Sequence, residues 1–159
     1  MARIRRARPA DVSAIAGLWA DLMRHHQKRA GKLSDHYALQ TDAGKSWRKW
    51  LRKWMRSKDG LILVAEDHGR LAGYSLSFIK KNVPVYRIRR LGYLSDLYVA
   101  DGYRNKGIGT AFFRKARAWF RWRGVKYASI AVHEINPGAR RIYKGWGFLE
   151  FHHELRLKL

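Results

Sequence analysis

The stretch from residue 102 to residue 110 combines glycines and basic side chains directly before a predicted helix. Gly107 and Gly109 allow the backbone to bend so that successive N–H groups point toward one place. These groups lie at a helix N-terminus, where about half a unit of positive charge accumulates. Arg104 and Lys106 add formal charge, and residues 102–133 contain eight basic residues and no acidic one. The pattern predicts a binding site for a phosphate or a diphosphate.

The same two glycines would also suit a plain turn between a strand and a helix, so the pattern alone leaves that interpretation open. Two other phosphate-binding motifs do not fit. A dinucleotide-binding fingerprint requires a third glycine where the chain has Phe112. Gly44-Lys45-Ser46 resembles the end of a P-loop, but the earlier glycine of that motif is replaced by Leu39. Neither motif accounts for the glycines.

A second motif lies downstream, at residues 136–148, where Asn136, Ala139, Tyr143 and Gly147-Phe148 fit N-x-x-A-x-x-x-Y-x-x-x-G-F. Together with Arg104-Asn105-Lys106-Gly107-Ile108-Gly109, which fits Q/R-x-x-G-x-G/A, it resembles the acetyl-CoA-binding core of the GNAT superfamily. Leu97-Tyr98-Val99 looks like the splayed strand of that family. The resemblance covers residues 60–148 well and the N-terminal helices more loosely. It implies the GNAT fold, a mixed and mostly antiparallel sheet flanked by helices.

The resemblance also implies the donor, acetyl-CoA, and the backbone that would bind it. The diphosphate of the donor is expected on the amides of the loop that consists of Arg104, Asn105, Lys106, Gly107, Ile108, Gly109 and Thr110. Pantetheine is expected to pair with the strand at Leu97, Tyr98 and Val99, using unpaired N–H and C=O groups. Asn136 is expected to bond pantetheine or its neighbourhood while also capping a helix. Ala139 and Tyr143 belong to the same predicted cofactor site.

Tyr143 is the candidate general acid of the acetyl transfer that the resemblance implies. A phenol has a pKa near 10 and can donate a proton to the departing CoA thiolate at neutral pH. The basic side chains of Arg140, Arg141 and Lys144 are expected to lower that pKa. The alternative is a half-buried tyrosine that packs the last helix.

The general base is less well defined by the sequence. Asp96 and Glu134 are the acidic residues nearest the expected cleft, and Asp96 is the first choice. Related small-amine acetyltransferases often carry a glutamate where this chain has Ser95. That difference leaves a chain of water molecules as an equal alternative for accepting the proton of the amine.

Composition limits the class of protein. The chain has 159 residues and no cysteine, which suits a single domain, residues 1–159, that forms no disulfide. No apolar stretch is long enough for a membrane span and no secretory signal is recognised, so a cytoplasmic enzyme is expected. Its 34 Lys+Arg residues against 12 Asp+Glu residues give a net charge of +22. Such a surface attracts polyanions and repels small cations.

Hydrophobic periodicity and turn residues predict the order β-α-α-β-β-β-α-β-α-β, an α/β domain. The first helix begins at Pro9, and residues 27–44 are predicted to form a loop. Asp67-His68-Gly69 is predicted to turn between two strands of a hairpin. Gly124 is predicted to end the third helix in a left-handed conformation. The remaining segments are a first strand at 3–7, a second helix at 45–58, strands at 61–65, 71–79, 91–99 and 127–132, helices at 109–123 and 136–144, and a last strand that contains Phe151, Leu155, Leu157 and Leu159.

The helix at 45–58 carries tryptophans on one face and seven basic residues on the other. Packing of the tryptophans on the sheet is the favoured interpretation, and binding of a membrane surface, RNA, an acidic partner or the acceptor remains open. The His25-His26 and His152-His153 pairs are predicted not to bind a metal ion, because adjacent histidines point in different directions.

Two functional hypotheses follow. The first is an acetyl-CoA-dependent N-acetyltransferase that acts on a primary amine of a small molecule, peptide or protein. The second is a nucleic-acid- or ribosome-associated basic module that keeps the fold with little or no catalysis, supported only by charge and tryptophans. A homodimer is expected by analogy with GNAT relatives.

Overall fold

A computed structural model describes residues 2–157 and residue 159. Its sheet has five strands in the order β1-β2-β3-β4-β5. The first four pair antiparallel, and β4 pairs with β5 in parallel. This arrangement confirms the predicted mixed, mostly antiparallel sheet. The strands are β1 (Arg3–Arg6), β2 (Gly60–Asp67), β3 (Arg70–Lys81), β4 (Arg90–Val99) and β5 (Ala128–Ile130).

Four α-helices flank the sheet: α1 (Val12–Arg29), α2 (Ala43–Arg56), α3 (Ile108–Trp122) and α4 (Pro137–Gly145). A single 3-10 turn at Pro9–Asp11 leads into α1, so the predicted start at Pro9 is confirmed apart from its first turn. Gly124 follows α3 with a φ of 70°, and Val125 donates to the carbonyl of Phe120, which confirms the predicted left-handed helix end. Among the described residues, no helix combines the length and hydrophobicity needed to cross a lipid bilayer.

The hairpin of β2 and β3 closes with a two-residue turn, as predicted. Asp67 and Arg70 are the last paired residues, and His68 and Gly69 between them have φ angles of 47° and 78°. Positive φ at both central positions defines the type I′ turn, whose twist matches that of the strands it joins. The hairpin therefore fixes the register of β2 and β3.

Two hydrophobic cores cover the two faces of the sheet and make a three-layer domain. On one face, β2 residues Leu61 and Leu63 pack with Phe112 and Phe120 of α3. On the other, Ile62 and Val64 pack with Ile15 of α1 and with other residues of α1 and α2. Because successive strand residues point to opposite faces, the continuous apolar run of β2 serves both cores.

The tryptophans of α2 belong to the core, which confirms the favoured interpretation of that helix. Trp47 stacks on Trp19 of α1 with ring centroids 5.0 Å apart. Trp54 stacks on Phe78 of β3 at 4.1 Å, and Trp50 meets the same ring edge-on at 5.8 Å. These contacts fix the orientation of α2 on the sheet and direct its basic side away from it.

Two sequence predictions of local structure are wrong. Residues 27–44 are not a loop throughout, because α1 continues to Arg29, a 3-10 segment spans Gly31–Tyr37, and α2 begins at Ala43. The expected last strand is absent from residues 149–157 and 159, while Lys158 lies outside the described residues. Phe151, Leu155 and Leu157 are between 82% and 92% exposed. Alternation alone does not make a strand, and the described part of this segment pairs with none of the five strands of the sheet.

Gly92 is predicted to be required for close packing of β4 against α3. A Cβ atom at this position would lie 2.8 Å from ring atoms of Phe120, which is 3% exposed and held in the core. Gly92→Ala should therefore lower the free energy of unfolding by about 1–3 kcal/mol, the usual cost of overpacking. Urea denaturation measures the change.

Gly17→Ala is the matched control for this change, because Gly17 lies inside α1 with no atom within 4 Å of the added methyl group. It should raise stability by about 0.5–1 kcal/mol, since alanine favours a helix. A Gly92→Ala variant as stable as the parent would show that Phe120 moves freely.

Candidate active site

The two parallel strands, β4 and the edge strand β5, diverge after a short contact. β4 pairs with β5 only at residues 92–94, and β4 then continues to Val99 while the chain after Ile130 leaves the sheet. On its other side β4 stays paired with β3 as far as Val99 opposite Gly73. One edge of residues 95–99 therefore presents backbone N–H and C=O groups to a cleft, where an extended ligand can pair with them.

A β-bulge marks the start of this divergence. Leu94 pairs with Ser77 and Asp96 pairs with Leu76, so Ser95 is an extra residue in β4. Bulges bend a strand and increase its local twist. The bend occurs where β4 leaves β5, which accounts for the opening of the cleft.

The glycine-containing loop lies at the end of β4 and leads into α3. Gly102, Asn105 and Gly107 all have positive φ angles, and Gly107 is the residue that precedes the helix. The first helical hydrogen bond runs from Ala111 N–H to the carbonyl of Gly107 at 2.9 Å. Within the described part of the chain, no backbone carbonyl accepts from the N–H groups of residues 107–110. These amides lie together at a helix N-terminus, an arrangement that is suited to an anion.

The two basic side chains of this loop differ in their surroundings. Arg104 donates through Nε to the carbonyl of Val99 at 3.0 Å and pairs with Asp101 at 2.8 Å. Its guanidinium also lies 5.6 Å from the centre of the Tyr98 ring. Lys106 is exposed, and its Nζ lies 5.5 Å from the Tyr103 ring. Arg104 therefore fastens the loop to the end of β4, while the side chain of Lys106 remains exposed to solvent.

The side chains of β4 beside the cleft are packing groups. Leu97 and Val99 lie against the core under α3, and Tyr98 is buried in the core under α1 and α2. A Cβ atom on Gly109 would be 3.5 Å from Leu97 Cδ2, an ordinary contact. The start of α3 therefore packs directly on the strand, which brings the loop amides next to the open edge of β4.

Asn136 caps α4. Its Oδ1 accepts a hydrogen bond from the N–H of Ala139 at 3.1 Å, and Pro137 occupies the first helical position. This geometry confirms the predicted helix start, in which the side chain satisfies one of the free amides of the first turn. The cap holds Ala139 and Tyr143 in register on the same short helix.

Tyr143 lies between aromatic rings at the end of α4. Its ring centroid is 5.4 Å from that of Trp146 and 6.4 Å from that of Phe148, and Trp146 stacks on Phe113 of α3 at 4.6 Å. Burial raises the pKa of Tyr143. The phenol is thus half-buried and keeps its proton at neutral pH.

The expected lowering of this pKa by neighbouring basic residues is wrong. Arg140 pairs with Glu150 at 2.6 Å and Lys144 pairs with the same carboxylate at 2.9 Å. These ion pairs direct the positive charges toward Glu150. The pKa of Glu150 is lowered to about 2; the largest cause is the hydrogen bond from Lys144, followed by the hydrogen bond from Arg140. Burial is the cause that acts on the pKa of Tyr143, and burial disfavours a phenolate.

Asp96 lies partly buried beneath α2, on the α1 and α2 side of the sheet. Its Oδ2 accepts from the hydroxyl of Tyr74 at 3.0 Å, its Oδ1 accepts from Ser95 Oγ at 2.9 Å, and the indole of Trp47 also donates to it. Burial raises the pKa of Asp96, while these three donors oppose the rise. Sequence reasoning misses Tyr74 and Trp47 as site residues, because only the fold brings β3 and α2 to this carboxylate.

Glu134, the other acidic candidate, has different surroundings. Its side chain is 82% exposed and lies 3.6 Å from Arg140. Unlike Asp96, it is not held in a buried network of hydrogen-bond donors among the residues that the structure describes.

A cluster of three rings joins α1 to the segment after β5, and no sequence pattern indicates it. Tyr37 Oη lies 2.7 Å from His133 Nδ1, and the rings of His26 and His133 are 4.9 Å apart. Burial lowers the pKa of His26 to about 4, with the charge of His133 as the next cause, and burial also lowers the pKa of His133, so both rings are neutral at physiological pH. In the described part of the chain, no group of three or more His, Asp or Glu side chains is placed to hold a metal ion.

Comparison with known proteins agrees with this geometry. The model of the acetyltransferase (GNAT) family matches residues 19–148. An uncharacterized N-acetyltransferase of Methanocaldococcus jannaschii is 32% identical over 114 residues, which are 67% of this chain and 47% of the relative. The chain therefore spans about half the length of that curated relative.

Solved structures show the same fold. The tetramutant of the BH1408 protein of Bacillus halodurans is similar with a TM-score of 0.81 at 23% identity, over 99% of each chain. A predicted acetyltransferase of Clostridium acetobutylicum, solved with acetyl-CoA, is similar with a TM-score of 0.75 at 19% identity, over 99% of this chain and 96% of that one. Because the family model matches most of the chain, residues 19–148, the protein belongs to the GNAT family of acetyltransferases.

Proposed function

We propose that the protein transfers an acetyl group from acetyl-CoA to a primary amine. The observation that carries the proposal is the continuous site formed by the open edge of β4 and the free amides at the start of α3. A thioester with a diphosphate at one end matches both parts of this site. The similar structure from Clostridium acetobutylicum contains acetyl-CoA, which supports the same donor here.

In this proposal the donor lies along the cleft in an extended form. Pantetheine pairs along β4 with the outward-facing backbone groups of Leu97 and Val99, while the backbone of Tyr98 between them faces β3. The diphosphate lies on the amides of residues 104–110 with Lys106 nearby. Asn136 and Ala139 hold α4 against the other side of the donor. The fit depends on backbone groups, so most side chains of the loop are predicted to contribute little.

The proposed reaction is a direct attack. The amine nitrogen forms a bond to the carbonyl carbon of the thioester and gives a tetrahedral intermediate. When the intermediate collapses, the C–S bond breaks and Tyr143 donates its proton to the departing sulfur. The proton lost by the amine passes to Asp96, directly or through water. Because burial raises the pKa of both groups, Tyr143 remains protonated and Asp96 is a stronger base than an exposed aspartate.

The proposed acceptor is an amine on a molecule that the positive charge of the protein does not repel. At a net charge of +22 the protein repels small polycations over about 10 Å in ordinary salt. An amine on a peptide or protein that is presented by an acidic partner is therefore favoured over a free polyamine.

Acetyl-CoA turnover measured across small amines, peptides and cellular fractions tests the proposal. Release of CoA thiol that depends on one class of amine is the expected result. Failure of the folded protein to bind acetyl-CoA in a calorimetric titration would remove the basis of the proposal. Binding without turnover on any amine would instead favour a module that keeps the fold without catalysis.

Asp96→Asn is predicted to reduce kcat/KM for the amine by roughly tenfold, less than the full effect of a general base because water can replace the carboxylate. The sign of the pH dependence follows from the raised pKa. The parent should lose activity as the pH falls through that pKa, and the variant should lack this acid limb. Initial rates between acid and neutral pH measure it.

The control for Asp96→Asn is the affinity for acetyl-CoA, which should not change. Tyr74→Phe removes one donor to the carboxylate and should shift the acid limb to higher pH, because removal of a hydrogen bond to the carboxylate favours its protonated form. An unchanged acid limb in both variants would show that Asp96 only positions β3 and α2.

A further inference from the structure

The outer face of α2 carries a dense row of positive charge. Six basic residues are spaced three or four positions apart along α2, so they share one side of the helix. These residues, the basic face of α2, are Lys45, Arg48, Lys49, Arg52, Lys53 and Arg56. The helix contains no acidic residue. Five of the six are exposed and Arg48 is partly so.

This charge is not neutralised within the described part of the protein. None of the six residues enters an ion pair among residues 2–157 and 159. Other acidic side chains pair with basic residues outside α2, as in the pair of Asp59 with Arg123 at 2.7 Å. Like charges four residues apart destabilise a helix by about 0.2–0.5 kcal/mol per pair. An external polyanion would relieve this repulsion.

The packing of α2 argues against insertion into a membrane. An interfacial helix needs a free apolar face, but Trp47, Trp50 and Trp54 are held against Trp19, Tyr74 and Phe78. What remains accessible is a shallow groove lined by Ser46, Lys49, Trp50, Lys53 and Arg56. Such a groove presents cations and one indole edge rather than a broad apolar surface to bury in lipid.

We propose that the basic face of α2 is a binding surface for the phosphate backbone of a nucleic acid. Successive rows of the face are one helical turn, about 5.4 Å, apart, so Lys45 to Arg56 form a line about 16 Å long. That length covers several phosphates, since duplex DNA carries one charge per about 1.7 Å of axis. The interaction is with phosphate, which makes the binding independent of base sequence. The proposal concerns the solvent-facing side of α2, whereas the loop proposed to bind the diphosphate of the donor lies at the start of α3, across the sheet.

The salt dependence of binding to a fluorescent DNA duplex of random sequence tests the proposal. The steepness of log K against log salt concentration should decrease by about 0.9 for each phosphate that a variant no longer neutralises. The variant Lys49→Gln/Lys53→Gln/Arg56→Gln should therefore reduce the steepness by about 2.7. Fluorescence anisotropy over a series of salt concentrations gives the slope.

The matched control is Arg114→Gln/Arg117→Gln/Arg121→Gln, which removes the same net charge from exposed positions on α3. It should change the steepness by less than about 0.9, the value for one phosphate. Equal decreases in the two variants would overturn the proposal, because the DNA would then be attracted by the overall positive charge of the protein and not by the basic face of α2 in particular. Tighter binding of the parent to phosphatidylserine vesicles than to the duplex at equal salt would also overturn it. Equal unfolding midpoints of both variants would confirm that neither effect comes from misfolding.

Discussion

Replacement of Tyr143 by phenylalanine is expected to lower kcat for acetyl transfer by about 10²–10⁴-fold, the usual contribution of a positioned proton donor. The CoA thiolate leaves more readily when it is protonated as the C–S bond breaks, and the variant has no proton to give. The ring itself remains, so its packing against Trp146 and Phe148 at the end of α4 persists. The dissociation constant for acetyl-CoA, measured by calorimetry, should therefore stay within about twofold, which is about 0.4 kcal/mol.

The pH dependence of kcat provides a second readout for Tyr143. Burial raises its pKa above the ordinary value of a tyrosine, so the protonated and active form persists to alkaline pH. The parent should lose activity only as the pH rises through that raised pKa, and Tyr143→Phe should lack this alkaline limb. Tyr127→Phe, at a tyrosine that is 56% exposed, is the matched control and should behave like the parent. Parallel loss of turnover and of acetyl-CoA affinity in Tyr143→Phe would assign Tyr143 to packing alone.

Replacement of Gly107 by valine is expected to raise KM for acetyl-CoA by at least about tenfold, equivalent to about 1.4 kcal/mol. Gly107 has a φ of 77°, a left-handed conformation that costs a residue with a side chain about 1–2 kcal/mol, and most for a β-branched one. The loop should relieve this strain by changing its path, which would move the amides of residues 104–110 apart. Steady-state kinetics and calorimetric titration of CoA measure the effect.

Gly69→Val is the control for backbone strain, because Gly69 has a φ of 78° in the turn between β2 and β3, away from the cleft. It should lower the unfolding midpoint about as much as Gly107→Val while leaving the affinity for CoA unchanged. If Gly107→Val binds CoA as tightly as the parent, the diphosphate does not lie on these amides, and the proposed donor site is wrong.

The parts of the fold that the sequence predicts correctly are those whose signals are local. The left-handed end of α3 at Gly124, the cap of α4 at Asn136 and the turn at His68-Gly69 each follow from residues that a specific backbone geometry requires. The family resemblance rests on the same kind of signal, since two motifs with fixed spacing place the loop and α4 in order along the chain.

The wrong predictions concern partners that lie outside the local pattern. Leu155 and Leu157 alternate as a strand would, yet they are exposed and pair with none of the described strands. Arg140 and Lys144 do not act on Tyr143 as expected, because Glu150 binds both of them. The three donors to Asp96 come from β3, β4 and α2, and no local pattern shows that these elements meet.

The bulge at Ser95 determines which face of the sheet the later side chains of β4 point to. Leu94 lies in the core under α3, whereas Asp96 receives the hydroxyl of Tyr74 on the opposite face. In a regular strand residues 94 and 96 would share a face, and the carboxylate would enter an apolar core at a cost of roughly several kcal/mol. The extra residue Ser95 thus places the carboxylate of Asp96 on the face of the sheet where Tyr74 can donate a hydrogen bond to it. The length of β4, counted residue by residue, is therefore as much a determinant of the site as the identity of Asp96.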